Sequence, residues 1–91
     1  MKTSKKIKQR IEAAKGRYWA GDNISQYIEE NELPELIDEL AEKFDDVLDS
    51  LVIDRKTDPN SMDTGRRLAK MYVKELMSGR YYPMPNATAF P

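Results

Sequence analysis

The residues with the most chemical potential are carboxylates. Glu35, Asp38, Glu39, Glu42, Asp45, Asp46 and Asp49 crowd one stretch of chain, and several of them stand three or four apart, the spacing that brings side chains together on one helix face. Paired carboxylates of this kind could hold a hard cation or share general acid and base roles. The sequence contains no histidine and no cysteine, which excludes a thiolate nucleophile, a Cys/His metal centre and imidazole proton transfer. With no partner of those types, the acids read as the solvated side of an amphipathic helix. No catalytic, cofactor-binding or metal-binding residue is assigned to the chain.

The second chemical signal is basic. Residues 1–17 carry seven Lys and Arg side chains against Glu12 alone, residues 22–54 carry twelve acids against Lys43 alone, and Arg55 onward turns basic again. Opposite-sign segments that pack together, within a chain or between copies, gain from such a partition. A basic terminus is also an electrostatic footprint for nucleic acid, but no aromatic side chain interrupts it before Tyr18 and Trp19, so nucleic acid is not the expected partner. Tyr18 and Trp19 are expected to anchor on a neighbouring element.

The elements that must position these groups are helical. Ile7, Ile11, Ala14 and Tyr18 recur at steps of four, three and four, which predicts a helix from Ser4 to Tyr18 closed by Gly21-Asp22-Asn23. Asn23 caps a short second helix, with Gln26 placed to reach back and Ile24, Tyr27 and Ile28 as its buried face. Pro34 suits the first turn of a third helix, whose apolar stripe is Leu36, Leu40, Phe44, Val47, Leu48 and Leu51. Asp58-Pro59-Asn60-Ser61 is turn chemistry within a loop over 54–63. Asp63 or Thr64 then caps a fourth helix with Leu68, Ala69, Met71, Tyr72, Val73 and Leu76 inside, Arg66, Arg67, Lys70 and Lys74 outside, and Gly79 as its stop. Pro83 and Pro85 end helical structure. The expected fold is all-α: about four amphipathic helices in a small antiparallel array or helical hairpins, with an extended carboxy-terminal linker.

At 91 residues, 40% hydrophobic and 34% charged, the chain suits one modest domain and is too apolar for a disordered one. The absence of cysteine and of any apolar span predicts a cytoplasmic protein with no membrane partner.

The segment Ser61-Met62-Asp63-Thr64-Gly65-Arg66-Arg67-Leu68-Ala69-Lys70-Met71-Tyr72-Val73-Lys74-Glu75-Leu76-Met77-Ser78-Gly79 resembles the helix that precedes the catalytic domain of GTP cyclohydrolase I. In that family the helix opens with an acid and Thr-Pro and runs through Ala-Lys-Met-Tyr-Val to Ser-Gly. Leu40 to Ile53 looks like the preceding family helix, ending in Leu-Val-Ile-Asp, and Thr88-Ala89-Phe90-Pro91 falls where the family enters its β-domain. The resemblance covers about residues 36–91. It divides the chain into a basic helix and turn (1–21), a helical module of the cyclohydrolase type (22–80) and an extended linker (81–91). One departure is Gly65 in place of the family proline, which is expected to loosen the first turn.

The resemblance implies a module for assembly and positioning within a large homo-oligomer, whose complete form opens the guanine imidazole ring to give 7,8-dihydroneopterin triphosphate and formate. It places the zinc ligands, the catalytic histidines and the GTP-binding residues in the β-domain that follows this region, so the chain by itself is expected to be inactive. The implied partner is protein: a second copy, or a cyclohydrolase catalytic domain. The contact residues expected are Arg66, Arg67, Leu68, Lys70, Met71, Tyr72 and Leu76, with Trp19. The rival reading is a stand-alone helical protein that binds and regulates an enzyme or another protein.

Overall fold

The computed structural model describes residues 1–84. Residues 85–91, with most of the expected linker and the Thr88–Pro91 match, lie outside the described residues. The fold is all-α. In chain order it comprises α1 (Thr3–Ala13), a 3-10 turn (Ser25–Tyr27), α2 (Glu32–Ser50), α3 (Thr64–Met71), a π-helical segment (Tyr72–Leu76) and α4 (Ser78–Tyr81).

Helix α1 ends five residues short of the predicted Tyr18. Lys15 adopts a left-handed backbone with φ of 55°. Its amide donates to the Glu12 carbonyl at 3.0 Å and the Gly16 amide donates to the Ile11 carbonyl at 2.8 Å. That pair of reversed bonds is a Schellman stop, which satisfies carbonyls the helix would otherwise leave open. Gly16 is required by packing instead of by conformation, since a Cβ there would sit 2.5 Å from the Tyr27 hydroxyl and 3.2 Å from Ile11.

The predicted second helix shrinks to one 3-10 turn. Ile24, not Asn23, takes the cap position; Asn23 stands one residue earlier and its Oδ1 accepts from the Ser25 amide at 2.9 Å and the Ser25 hydroxyl at 2.6 Å. Gln26 does not close a capping box. The other end of Asn23 is used at a distance: its Nδ2 donates to the carbonyls of Gly79 and Tyr82, at 2.9 and 2.7 Å. The turn buries Ile24 against Ile7 and Ile11 as a first core, with Tyr27 and Ile28 packed on its rim.

α1 is tied to the start of α2 by a polar clamp. Arg10 donates from NH1 and NH2 to the two carboxylate oxygens of Glu32 at 2.5 and 2.6 Å and to the Tyr27 carbonyl at 2.9 Å, while the Glu29 amide donates to Glu32 Oε1 at 2.8 Å. Glu32 is buried, a rare setting for a lone carboxylate that the paired guanidinium makes tolerable. The Arg10 fork holds its pKa down to about 2, with the Glu29 amide assisting and burial opposing.

The second core lies between α2 and α3, which run antiparallel. Ile37, Ala69 and Val73 are buried there, with Leu33, Leu40, Ala41 and Phe44 packed around them. Gly65 explains how closely the helices approach. A Cβ at this position would overlap Asp45 Oδ1 and come within 3.0 Å of the Ala41 carbonyl, so even alanine would need the Asp45 side chain to move and a bulky residue would press the helices apart. The glycine that the sequence reading treated as a loosened first turn is therefore the contact point of the hairpin. Thr64 begins α3, but its hydroxyl donates to the Asn60 carbonyl at 3.2 Å in place of capping the helix.

The predicted fourth helix is broken into three pieces. The Met77 amide reaches back five residues to the Tyr72 carbonyl at 2.8 Å, one π turn that widens the helix before it restarts as α4. Gly79 is not a stop, because α4 continues to Tyr81, whose ring packs on both cores.

Candidate interaction surface

The structure brings part of the expected site together and separates the rest. Arg66 pairs with Asp38 at 2.7 Å across the hairpin, as the opposite charges of the two helices led one to expect. Both side chains are more than half exposed, and such a pair contributes about 1 kcal/mol or less. Arg67 turns away to the loop, donating to the Asn60 carbonyl at 3.2 Å and the Thr64 hydroxyl at 3.1 Å. Lys70 and Lys74 are exposed and make no ion pair among the described residues.

The apolar ridge from Leu68 to Leu76 divides between inside and outside. Ala69 and Val73 face α2, Leu68 and Met71 are half-buried, and Tyr72 and Leu76 stand exposed, Leu76 at 62%. The Tyr72 ring stacks on Phe44 with centroids 5.3 Å apart, which joins the outer side of α3 to the outer side of α2. Two residues expected in the α2 core, Val47 and Leu51, are exposed as well. The α2 stripe is longer than the α3 face that covers it, so its last turn runs past the available partner.

Sequence reasoning missed Val52 altogether. It is 90% exposed and has φ of 63°, a left-handed conformation that β-branched residues avoid. The Ile53 amide donates to the Leu48 carbonyl at 3.2 Å and the Val52 amide to Asp49 at 3.0 Å, so α2 stops by the same device as α1 with valine in the place glycine normally takes. The available signal was the unbroken Leu51-Val52-Ile53 run, which overshoots the helical stripe before the loop begins.

Trp19 does not anchor on a neighbouring element. It is 68% exposed, with the Arg17 guanidinium 4.2 Å from its ring centroid. Asp22 binds Arg17 through two hydrogen bonds of 2.9 and 2.7 Å and also accepts from the Trp19 amide at 2.8 Å. This Arg17 contact lowers the Asp22 pKa. From the other side, Arg80 donates to the carbonyls of Trp19 at 2.6 Å and Asp22 at 3.1 Å.

No family model, curated protein or solved structure matches the chain. Among the described residues, no group of three or more Asp, Glu, His or Cys is placed to hold a metal ion, and no helix is long and apolar enough to cross a membrane. The zinc implied for a complete cyclohydrolase does not fit this chain, which offers neither imidazole nor thiolate, and no catalytic step can be drawn through it here. The half-open hollow between α1 and α4 is lined mainly by Ile7, Ile11, Ile24 and Leu36, and the Ser4 hydroxyl at its edge donates to the Glu39 carboxylate, a pair that no histidine accompanies. What the surface offers is apolar area in helical register, which is the material of protein interfaces.

Proposed function

We propose that the chain is the helical assembly module of a GTP cyclohydrolase I-like protein acting in the cytoplasm. The complete form would convert GTP and water to 7,8-dihydroneopterin triphosphate and formate in folate and pterin biosynthesis, and this chain would supply none of the reacting groups. The observation that carries the reading is the residue order from Asp63 to Gly79 combined with its placement. The family-like segment forms one wall of a helical hairpin, its small residues Gly65 and Ala69 face α2, and Leu76 stands on the outside beside the partly exposed Tyr72, whose ring rests on Phe44.

Size-exclusion chromatography with light scattering tests this, with the chain alone and mixed with an intact cyclohydrolase. Co-elution with the enzyme that Leu76→Asp abolishes is the expected result. A chain that never co-elutes, or one that turns over GTP unaided, would overturn the proposal.

The reading as a stand-alone regulator has one observation in its favour. Residues 1–31, largely outside the resemblance, complete a core of their own and clamp onto α2 through Arg10 and Glu32. An isolated chain that is monomeric, yet binds a non-cyclohydrolase partner through the Trp19 loop, would support that reading instead.

A further inference from the structure

The Trp19 loop and the end of α2 form a complementary pair that one chain cannot bring together. The loop is unusually well fixed for a segment that leaves an indole in water. Asp22 holds the Trp19 amide and Arg17, Arg80 donates to the Trp19 and Asp22 carbonyls, and the Asn23 side chain donates to the carbonyls of Gly79 and Tyr82. Each of these bonds serves backbone or a neighbouring side chain, and none requires the indole to be outside. A rigid, exposed tryptophan loses little freedom on binding and is the residue type most enriched at interface hot spots.

The end of α2 is the opposite case. Val47, Leu51 and Val52 are exposed by 53, 64 and 90%, and Val52 is held in a backbone conformation that favours glycine. The left-handed turn ends the helix, but nothing in the isolated fold covers the apolar side chain that it carries. Charge runs the same way. Lys8 and Lys15, the latter beside Trp19, make no ion pair among the described residues, and neither does Asp46 next to Val47, whereas Arg55 already occupies Asp45 and Asp49.

The two surfaces lie at opposite ends of the hairpin. The Trp19 loop is fastened to Arg80 in α4, which follows α3 and its π segment back to the beginning of α2; the apolar turn is at the other end of a 19-residue helix, about 28 Å away. We infer that Trp19 of one copy docks on the Val47, Leu51 and Val52 turn of a second copy, with Lys15 facing Asp46. This is a head-to-tail contact, which leaves one loop and one turn free after each addition and so closes a ring or grows a filament. It uses neither Tyr72 nor Leu76 and holds whether or not the chain belongs with a cyclohydrolase.

Sedimentation velocity on Trp19→Ala, Leu51→Asp and an equimolar mixture of the two tests the inference. The wild-type chain should form oligomers larger than a dimer, and each variant alone should be monomeric, with self-association weakened about tenfold or more. The mixture should yield a heterodimer, because the loop of the Leu51→Asp copy still meets the turn of the Trp19→Ala copy. Both side chains are exposed, so far-ultraviolet circular dichroism should show unchanged helicity. A wild-type monomer, self-association that survives Trp19→Ala, or a mixture that stays monomeric would each overturn the inference. Loss of Leu76-dependent co-elution with a cyclohydrolase would bear only on the proposed function.

Discussion

Where α2 begins, polar groups are paired and apolar ones are covered: Arg10 and Glu32 close the joint with α1, Asn23 reaches the carbonyls of the last helix, and Tyr81 sits across both cores. Where α2 stops, the same helix leaves Val47, Leu51 and Val52 in water and places a valine where a glycine would relax the chain. α1 and α2 end by the same kind of helix stop, one beside the covered region and one in the bare region, so backbone chemistry does not separate them. The difference is coverage. A domain of this size can complete one end of a two-helix hairpin from its own residues, and the amino-terminal third is spent doing that.

The sharpest way to break the contrast is to disturb the shared middle. Gly65→Leu should lower the unfolding free energy by about 3 kcal/mol in a denaturant titration, because Asp45 and the Ala41 carbonyl occupy the space the side chain needs. Ile11→Ala, which opens a cavity in the first core, should cost a similar amount of about 3 kcal/mol. If Gly65→Leu were neutral, the helices would not be in contact at that point.

The next effect belongs to the covered end. Glu32→Gln should destabilise by about 2 kcal/mol at neutral pH through loss of a charged, buried hydrogen-bond pair. Its pH dependence has a defined sign. The folded pKa is lowered to about 2, so the stabilisation is complete above the ordinary glutamate range and disappears as pH falls from about 4.5 toward 2. Wild type should therefore lose stability over that window relative to Glu32→Gln. Parallel acid-unfolding curves for the two proteins would contradict the clamp.

A smaller effect of opposite sign is expected at the bare end. Val52→Gly should raise the stability of the dissociated chain by about 1 kcal/mol, since glycine adopts a positive φ without the steric penalty. A loss of stability there would mean that Val52 is packed in the free chain. Smallest of all, Leu76→Asp should change the unfolding free energy of the isolated chain by no more than about 0.5 kcal/mol, because the side chain has little to lose in the monomer.

How much of this was legible in the sequence depends on how local each signal was. Helix α2 could be read because its apolar stripe and acidic face repeat at helical spacing over many turns, and the loop over 54–63 because Asp58, Pro59 and Asn60 bias the backbone locally. The end of α1 could not, since a lysine took the left-handed position while the neighbouring glycine served a packing need. The π turn has no compositional mark, and Gly79 misled because the interruption falls two residues earlier, at Met77 with φ of −118°. The expected contact residues Tyr72 and Leu76 were placed on the outer surface by the geometry, whereas Trp19 was expected to be covered and Val47 and Leu51 were expected inside. Burial at those three positions depends on which partner helix reaches them, and that information is not local.

The most direct test of the outer ridge as a docking surface is hydroxyl-radical footprinting of Tyr72 and Leu76, for the chain alone and in the presence of an intact cyclohydrolase. Labelling of both side chains should fall on mixing while exposed Met1, at the far end of α1, labels as before. Unchanged labelling of Tyr72 and Leu76 in a mixture that co-elutes would show that the enzyme is met elsewhere, and the ridge would lose its assigned role.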